Sequence, residues 1–165
     1  KAIECPDPVI IFEPKRRYWL KGEVDFSDTS FDPFSAQVVR EGTDATIVAY
    51  GPLVPVALAA AEAAVEDGRS IEVIDLRSIS PLDMPTVAAS VAKTGRLIVA
   101  HEAPTFGGMG GELAAAVTER CFYSLQAPVI RVGGYYMPYP VSRVEEEYVP
   151  DIDRILEAVD RAFDY

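Results

Sequence analysis

From residue 37 onward, short apolar runs alternate with segments of helical period, and this alternation limits the possible folds more than any other feature. Two of the runs, Ile47-Val48-Ala49 and Leu97-Ile98-Val99, are apolar at every position, as strands covered on both faces must be. Strands that alternate with helices of about 10–15 residues indicate right-handed crossovers and a parallel sheet. The sequence therefore predicts an α/β domain, a three-layer α/β/α sandwich around a mostly parallel five-stranded sheet with one antiparallel strand.

The predicted elements have clear boundary signals. Strands are predicted at residues 37–40, 45–50, 70–76, 96–100 and 129–132, and the first two flank Gly42-Thr43-Asp44, which indicates a hairpin. Helices are predicted at residues 53–67, 83–93, from the glycines at 107–111 to about 124, and from Asp151 or Asp153 to the end. Gly68 and Gly95 are typical helix stops, Asp83 is a typical N-cap, and Pro85 suits the first turn.

The first 36 residues have no such period. Residues 9–13 are apolar between Pro8 and Pro14, which predicts a short buried strand. Residues 21–36 mix acidic residues and serines, and we interpret them as a linker anchored by Phe26, Phe31 and Phe34. Since the chain begins with Lys1 and enters the apolar run almost at once, we expect the natural chain to be longer.

Charge and cysteine usage exclude several classes of protein. The net charge is −11, whereas binding to nucleic acid needs a basic surface. No apolar run approaches the 18 or more residues of a membrane span. Cys5 and Cys121 do not suggest a disulfide, so a reduced compartment, the cytoplasm or a mitochondrial matrix, is expected.

Two segments near the ends of predicted strands could carry chemistry. Gly107-Gly108-Met109-Gly110-Gly111 stands between a strand and a helix, but it fails the dinucleotide fingerprint and the P-loop, and Glu112 would repel phosphate. We favour close backbone packing over an anion site. His101-Glu102 could act in acid–base chemistry, or His101 could bind a loop carbonyl or a neighbouring subunit, which we favour.

Three further groups were weighed. Asp75 and Arg77 could form an ion pair that orders the next loop. The run Glu145-Glu146-Glu147 is more typical of a solvated turn than of a metal site. The aromatic segment that contains Tyr135 and Tyr136 suggests a subunit contact.

Several motifs in order resemble the β subunits of thiamine-dependent 2-oxo acid dehydrogenases, and the branched-chain type is the most similar. They are Phe12-Glu13-Pro14-Lys15-Arg16, Val73-Ile74-Asp75-Leu76-Arg77, Ser80-Pro81-Leu82-Asp83, His101-Glu102-Ala103-Pro104, Pro138-Tyr139-Pro140 and Tyr148-Val149-Pro150-Asp151. The resemblance implies that residues 1–20 end an N-terminal pyrimidine-binding domain, that 21–36 form the linker, and that 37–165 form a transketolase C-terminal-like domain.

The resemblance also implies a role. Such enzymes are α2β2 oxidoreductases that use thiamine diphosphate and magnesium, decarboxylate a 2-oxo acid and acylate a lipoyl arm on a multienzyme core. The family's Gly-Asp-Gly cofactor motif lies on the α subunit and its catalytic glutamate in the β subunit's N-terminal domain. We therefore expect no catalytic and no cofactor-binding residue in these 165 residues, and an inactive chain in isolation.

Two sites can be carried over from the family. A potassium site of the branched-chain relatives would include Cys5 and Asp7, with Cys5 in place of the family's aspartate. A basic subunit-binding domain of the acyltransferase core would contact Gln126, Asp160, Asp164 and Tyr165, where Gln126 replaces a family acid. His101, Glu102, Tyr135 and Tyr136 are candidate interface or pocket residues, and Tyr136 replaces a family aspartate.

The expected partners are an α subunit, a second β subunit and this basic domain. Binding to nucleic acid or to a membrane is not expected. A pyruvate or acetoin dehydrogenase β subunit is the alternative within the family. A free-standing regulatory module that binds an anion or nucleotide at the glycine turn is the alternative from another class.

Overall fold

A computed structural model describes residues 1–23, 25, 27 and 30–165. Its sheet contains β1 (Gln37–Arg40), β2 (Ala45–Ala49), β3 (Ile71–Asp75), β4 (Leu97–Pro104) and β5 (Ile130–Gly134). The strand order is β1-β3-β2-β4-β5, in which β1 is antiparallel to β3 and the other neighbouring pairs are parallel. The prediction of a five-stranded, mostly parallel sheet with one antiparallel strand is confirmed.

The predicted hairpin between β1 and β2 is wrong. β1 pairs with β3, so that Gln37 lies opposite Asp75, because β2 is buried along its whole length and takes β3 and β4 as its neighbours. The connection after β1 crosses the start of β3 instead of turning back. A Cβ on Gly42 would lie 2.1 Å from the Glu72 nitrogen, and the amides of Thr43 and Asp44 donate to the Ser70 carbonyl at 3.0 and 2.8 Å.

Helices cover both faces of the sheet. They are α1 (Leu53–Ala63), α2 (Met84–Thr94), α3 (Met109–Cys121), the short α4 (Glu145–Tyr148) and α5 (Ile152–Phe163). Alternate strand residues point to opposite faces, so Ile47 and Ile98 pack with α1 and α5, whereas Val48 and Val99 pack with α2 and α3. The structure thus has the predicted three layers.

The helix ends follow the sequence signals closely. The Asp83 carboxylate accepts the Thr86 amide at 3.1 Å at the start of α2, and Asp151 accepts the Arg154 amide at 2.9 Å at the start of α5. Gly68 and Gly95 have the positive φ angles of 73° and 74° that make glycine the favoured residue after a helix. The first predicted helix is shorter than expected, because residues 64–67 tighten into a 3₁₀ turn.

The strand predicted for residues 9–13 is wrong. Ile10, Ile11 and Phe12 are 80%, 65% and 85% exposed, and within the described residues no strand pairs with them. An apolar run becomes a strand only where another backbone offers hydrogen bonds. The first regular element in this part of the chain is a 3₁₀ turn at residues 15–17.

One contact between the linker and the domain runs through Arg77, and Phe34 of the linker is half-buried. The Arg77 guanidinium lies 4.6 Å from the centre of the Phe31 ring and donates to the Asp32 carbonyl at 3.1 Å. The predicted Asp75–Arg77 ion pair is wrong, because Asp75 accepts the backbone amide of Arg77 at 3.1 Å while the guanidinium turns to the linker. The prediction for Phe26 falls outside the described residues.

Among the helices of residues 1–23, 25, 27 and 30–165, none is both long enough and apolar enough to cross a bilayer.

Candidate functional site

The carboxyl ends of β2 and β4 mark the place where the chain changes direction across the sheet. The crossover from β2 leads to β3 on one side, and β4 lies on the other side of β2. Open α/β sheets bind their ligands in the crevice at such a switch point. Tyr50 follows β2 here, and its ring stacks on His101 of β4 with the ring centres 6.0 Å apart.

His101 is a fully buried histidine whose two ring nitrogens both have partners. Nδ1 lies 2.8 Å from the Ala103 carbonyl oxygen, and Nε2 accepts the amide of Gly110 at 3.1 Å. Since Nε2 accepts, Nδ1 carries the proton and the ring is neutral. Burial lowers the pKa of His101. The structure therefore favours the loop-carbonyl interpretation of His101 over acid–base chemistry.

The glycine turn makes room for the His101 ring. A Cβ on Gly108 would lie 2.7 Å from Cε1 of His101, and a Cβ on Gly110 would lie 2.6 Å from its Nε2. Real Cβ atoms do not approach so closely, so both positions need glycine for packing. This geometry supports close packing rather than an anion site as the reason for the glycines.

A cleft of about 430 Å³, here called the arm cleft, lies between the 3₁₀ turn at residues 15–17 and the start of α5. Arg16, Arg17 and Glu102 line it. The Arg17 Nη2 donates to the carbonyl of Pro52 at 2.9 Å, and Arg16 lies 3.7 Å from a Glu145 carboxylate oxygen and 3.6 Å from one of Glu146. Burial raises the pKa of Glu102, and the charges of Arg16 and Arg17 oppose that rise.

A second groove of about 270 Å³, here called the arginine groove, runs between the edge strand β5 and α5. Its lining includes Arg131, Arg154 and Arg161, and Tyr135 and Tyr136 form part of its wall. The sequence does not predict this group of arginines, because Arg131 is far from the other two along the chain. Their only signal is the repeat of Arg154 and Arg161 at a spacing of two helical turns.

The four candidate pocket residues therefore occupy three different environments. His101 is in the core, Glu102 lines the arm cleft, and Tyr135 and Tyr136 line the arginine groove. Nearby, the Tyr139 hydroxyl donates to Glu145, and burial together with that hydrogen bond raises the pKa of Tyr139 to about 12. Glu145–Tyr148 is a short helix rather than a turn.

The residues predicted to contact a basic domain lie at the opposite, amino-terminal end of the sheet. Gln126 accepts a hydrogen bond from Arg96 Nη1 at 2.7 Å, and the same guanidinium donates to the Ala162 carbonyl at 3.0 Å. Asp160 pairs with Arg69. Asp164 and Tyr165 are exposed after α5. The structure brings Gln126 and the end of α5 together through Arg96.

The two groups that the resemblance implies are a potassium ion and thiamine diphosphate. Cys5 is partly exposed and Asp7 is exposed, and among the described residues no three His, Cys, Asp or Glu side chains are grouped to hold a metal ion. The sequence contains no Gly-Asp-Gly motif, and the glycine turn is filled by His101.

Comparison with known proteins identifies the class. The family model described as "Transketolase, C-terminal domain" matches residues 35–155, and this chain belongs to that family. A solved structure described as "Split gene transketolase, inactive beta4 tetramer" superimposes with a TM-score of 0.70 at 31% identity, covering 87% of this chain and 46% of that one.

The most similar relatives include β subunits of several 2-oxo acid dehydrogenases. The chain is 56% identical over its whole length to "Pyruvate dehydrogenase E1 component subunit beta" of Leifsonia xyli subsp. xyli, covering 49% of that protein. It is 50% identical, over 97% of its length, to "3-methyl-2-oxobutanoate dehydrogenase subunit beta" of Mycobacterium tuberculosis, of which it covers 46%. It is 44% identical, over 99% of its length, to the mitochondrial "2-oxoisovalerate dehydrogenase subunit beta" of Dictyostelium discoideum, of which it covers 45%. The chain spans about half the length of the curated relatives it matches.

Proposed function

We propose that this chain is the C-terminal part of the β subunit of a 2-oxo acid dehydrogenase, the oxidoreductase component that decarboxylates a 2-oxo acid and acylates a lipoyl arm. The observation that carries the proposal is identity of 44–56% to β subunits over nearly the whole chain. The fold supports it, since the five-stranded sheet is the one found in the split-gene transketolase. The proposed location is a bacterial cytoplasm or a mitochondrial matrix, and the relative from Dictyostelium discoideum that is described as mitochondrial supports it.

In this proposal the chain supplies assembly surfaces and not the reacting groups. Thiamine diphosphate and magnesium would be bound by the α subunit and by the N-terminal half of the β subunit, and the cofactor would supply the decarboxylation chemistry there. His101, the one histidine, has a partner for each ring nitrogen, so its role in this proposal is to connect β4 to the start of α3. The β-only assembly of the split-gene transketolase is described as inactive, which agrees with a chain that needs its partners.

The test is reconstitution of the complete β subunit with its α subunit. We expect turnover of 3-methyl-2-oxobutanoate by the assembled enzyme, with thiamine diphosphate and magnesium, and no turnover or cofactor binding by the present chain alone. Turnover by the chain alone would place the reacting groups within it and would overturn the proposal.

Pyruvate is the second candidate substrate, and the 56% identity to a pyruvate dehydrogenase subunit favours it. The branched-chain assignment rests on the motifs around His101 and on the relatives at 50% and 44% identity. The ratio of kcat/KM for 3-methyl-2-oxobutanoate and pyruvate in the assembled enzyme decides between them. A ratio well above one assigns the branched-chain substrate, and a ratio well below one assigns pyruvate.

We further propose that a basic subunit-binding domain docks at the end of α5. Asp164 and Tyr165 are exposed there, whereas Gln126 and Asp160 are already held by Arg96 and Arg69, so Asp164 is the freer carboxylate for a basic partner. Binding of the isolated basic domain should weaken as salt rises, because exposed charges are screened. Asp164→Asn should weaken it, while Asp153→Asn at the other end of α5 should not. Equal effects of the two substitutions would refute this docking site.

The proposed potassium site keeps Cys5 and Asp7 as its candidate ligands. In the complete subunit, a thermal transition that rises with potassium chloride but not with sodium chloride, and that loses this rise in Asp7→Ala, would support it.

A further inference from the structure

The arginine groove concentrates positive charge on an acidic protein. Three arginines from two elements line it: Arg131 from the edge strand β5, and Arg154 and Arg161 from α5. The chain has a net charge of −11, yet Glu157 is the one carboxylate residue that lines this groove. Within the part of the chain that the structure describes, no carboxylate lies within 4.0 Å of any of the three guanidinium groups.

Arg154 is held in place by contacts that leave its charge uncompensated. Its guanidinium donates to the carbonyls of Gly133 and Tyr148, and it lies 4.6 Å from the centre of the Tyr135 ring. These neutral partners fix the orientation of the group but do not cancel its charge. A guanidinium fixed in this way loses little conformational freedom when it binds a ligand.

The guanidinium groups of Arg131 and Arg161 have N–H donors that are not used by other described residues. Arg131 Nη1 donates to the Thr105 carbonyl at 3.2 Å, which uses one of the five N–H donors of the group. For Arg161, the described residues provide neither a hydrogen bond nor an ion pair, and its side chain is exposed on the turn of α5 that follows Glu157. The hydroxyls of Thr105, Tyr135 and Tyr136 belong to the same lining.

The size and chemistry of the groove define what it could hold. Its volume of about 270 Å³ is below the usual range of about 300–1,000 Å³ for sites that take drug-sized ligands. Guanidinium groups pair in a bidentate manner with both carboxylate and phosphate. A small oxyanion with more than one negative charge therefore matches the groove in volume and in charge.

We propose that the arginine groove is a binding site for a small, multiply charged oxyanion, held by Arg131, Arg154 and Arg161. The site lies between β5 and α5 and shares only neighbouring residues of α5, not its lining, with the arm cleft. The inference does not depend on the proposed dehydrogenase function, since it rests on the groove alone.

The test is calorimetric titration of the 165-residue chain with pyrophosphate and, separately, with citrate, at low ionic strength. We expect saturable binding of at least one probe, and the probe that binds distinguishes a phosphate ligand from a polycarboxylate. Arg131→Gln together with Arg161→Gln should weaken that binding at least about tenfold, because charge-assisted hydrogen bonds are lost. Both side chains are exposed, so the double variant should fold, which circular dichroism checks.

Two further variants make the result specific to the groove. Glu157→Gln should tighten binding by about two- to fivefold, because it removes the carboxylate beside the site. Arg120→Gln, an equally exposed arginine on α3, should leave binding unchanged. The proposal is overturned if neither probe saturates, if Arg120→Gln weakens binding as much as the double variant, or if Glu157→Gln weakens it.

Discussion

At the scale of single residues, His101 connects the end of β4 to the first turn of α3. It lies near the end of β4, accepts an amide from the start of α3, and contacts the carbonyl of Ala103. The ring is fully buried, so any atom added beside it must displace packed neighbours. Two consequences can be measured, one for the glycines that surround it and one for pH.

The substitution Gly110→Ala should destabilise the fold. The added Cβ would lie 2.6 Å from His101 Nε2 and 3.5 Å from a methyl of Val99, and overpacking of this kind costs about 1–3 kcal/mol. The matched control is Gly111→Ala in the same helical turn, where the added Cβ would meet nothing nearer than an Arg131 nitrogen at 3.6 Å. The control should be neutral or stabilising by up to about 1 kcal/mol.

Urea denaturation of the two variants gives the comparison. If Gly110→Ala is as stable as Gly111→Ala, the account of the glycine turn as a socket for the imidazole ring is wrong.

The free energy of unfolding should fall as the pH is lowered through the range in which His101 is protonated in the unfolded chain. Burial lowers the pKa of His101, so between its folded and unfolded pKa values the unfolded state binds more protons. Stability from the neutral ring is then fully present above about pH 6.5, the unfolded value, and is lost as the pH falls toward the folded pKa.

Denaturation curves at several pH values test this in the Glu102→Gln background. Burial raises the pKa of Glu102, so its titration changes stability in the opposite direction and must be removed. His101→Gln in that background should abolish most of the slope near pH 6. An unchanged slope would show that another group is responsible.

At the scale of elements, Asp83 does more than cap a helix. Its carboxylate accepts the amide and the hydroxyl of Thr86 at 3.1 and 2.8 Å, and also the amide of Ala36 at 3.0 Å. It therefore connects the start of α2 to the end of the linker. These hydrogen bonds hold the pKa of Asp83 below its usual range, against the effect of burial.

Asp83→Ala should cost more stability than the loss of an ordinary cap. An N-cap is worth about 0.5–2 kcal/mol, and the amide of Ala36 also loses its partner in this variant. Asp151→Ala removes a cap from α5 that accepts only the Arg154 amide through its side chain, so it serves as the control, with a cost of about 1 kcal/mol. Equal midpoints of urea unfolding for the two variants would contradict the linking role.

Most elements could be predicted from the sequence because their signals are local. The caps at Asp83 and Asp151, the glycine stops at 68 and 95, and the apolar runs of β2 and β4 all act within a few residues. The hairpin prediction failed because the partner of β1 depends on which strands lie beside β2, a non-local property. The arginine groove could not be predicted for the same reason, since Arg131 and Arg154 meet only when β5 and α5 pack.

At the scale of the whole molecule, the sheet is covered by helices on both faces, whereas residues 1–20, here called the arm, expose most of their large apolar side chains. Ile3, Ile10, Phe12 and Trp19 are largely exposed, and large exposed apolar patches mark interaction sites or sources of association. The domain from β1 to α5, in contrast, has a buried apolar cluster on each face of the sheet.

We expect the chain alone to self-associate through this arm. Replacing Ile10, Ile11 and Phe12 together by Ser should shift the molar mass measured by light scattering toward the monomer, because the exposed apolar surface is removed. The control replaces Phe122 and Tyr123, an exposed pair at the end of α3, by Ser. Loss of association in the control alone would assign it to α3 instead.

Because the chain passes over Gly42 and β1 pairs with β3, the strands cannot pair in the order in which they are synthesised. β1 is the first strand of this sheet to leave the ribosome, but its sheet partner β3 ends at Asp75, so β1 stays unpaired until at least that length of chain has emerged. β2 has to wait longer still for its second neighbour, β4. Because domains tend to fold as units during translation, the nascent chain carries unpaired strands until most of the domain has been made, and this interval is when a chaperone would be needed.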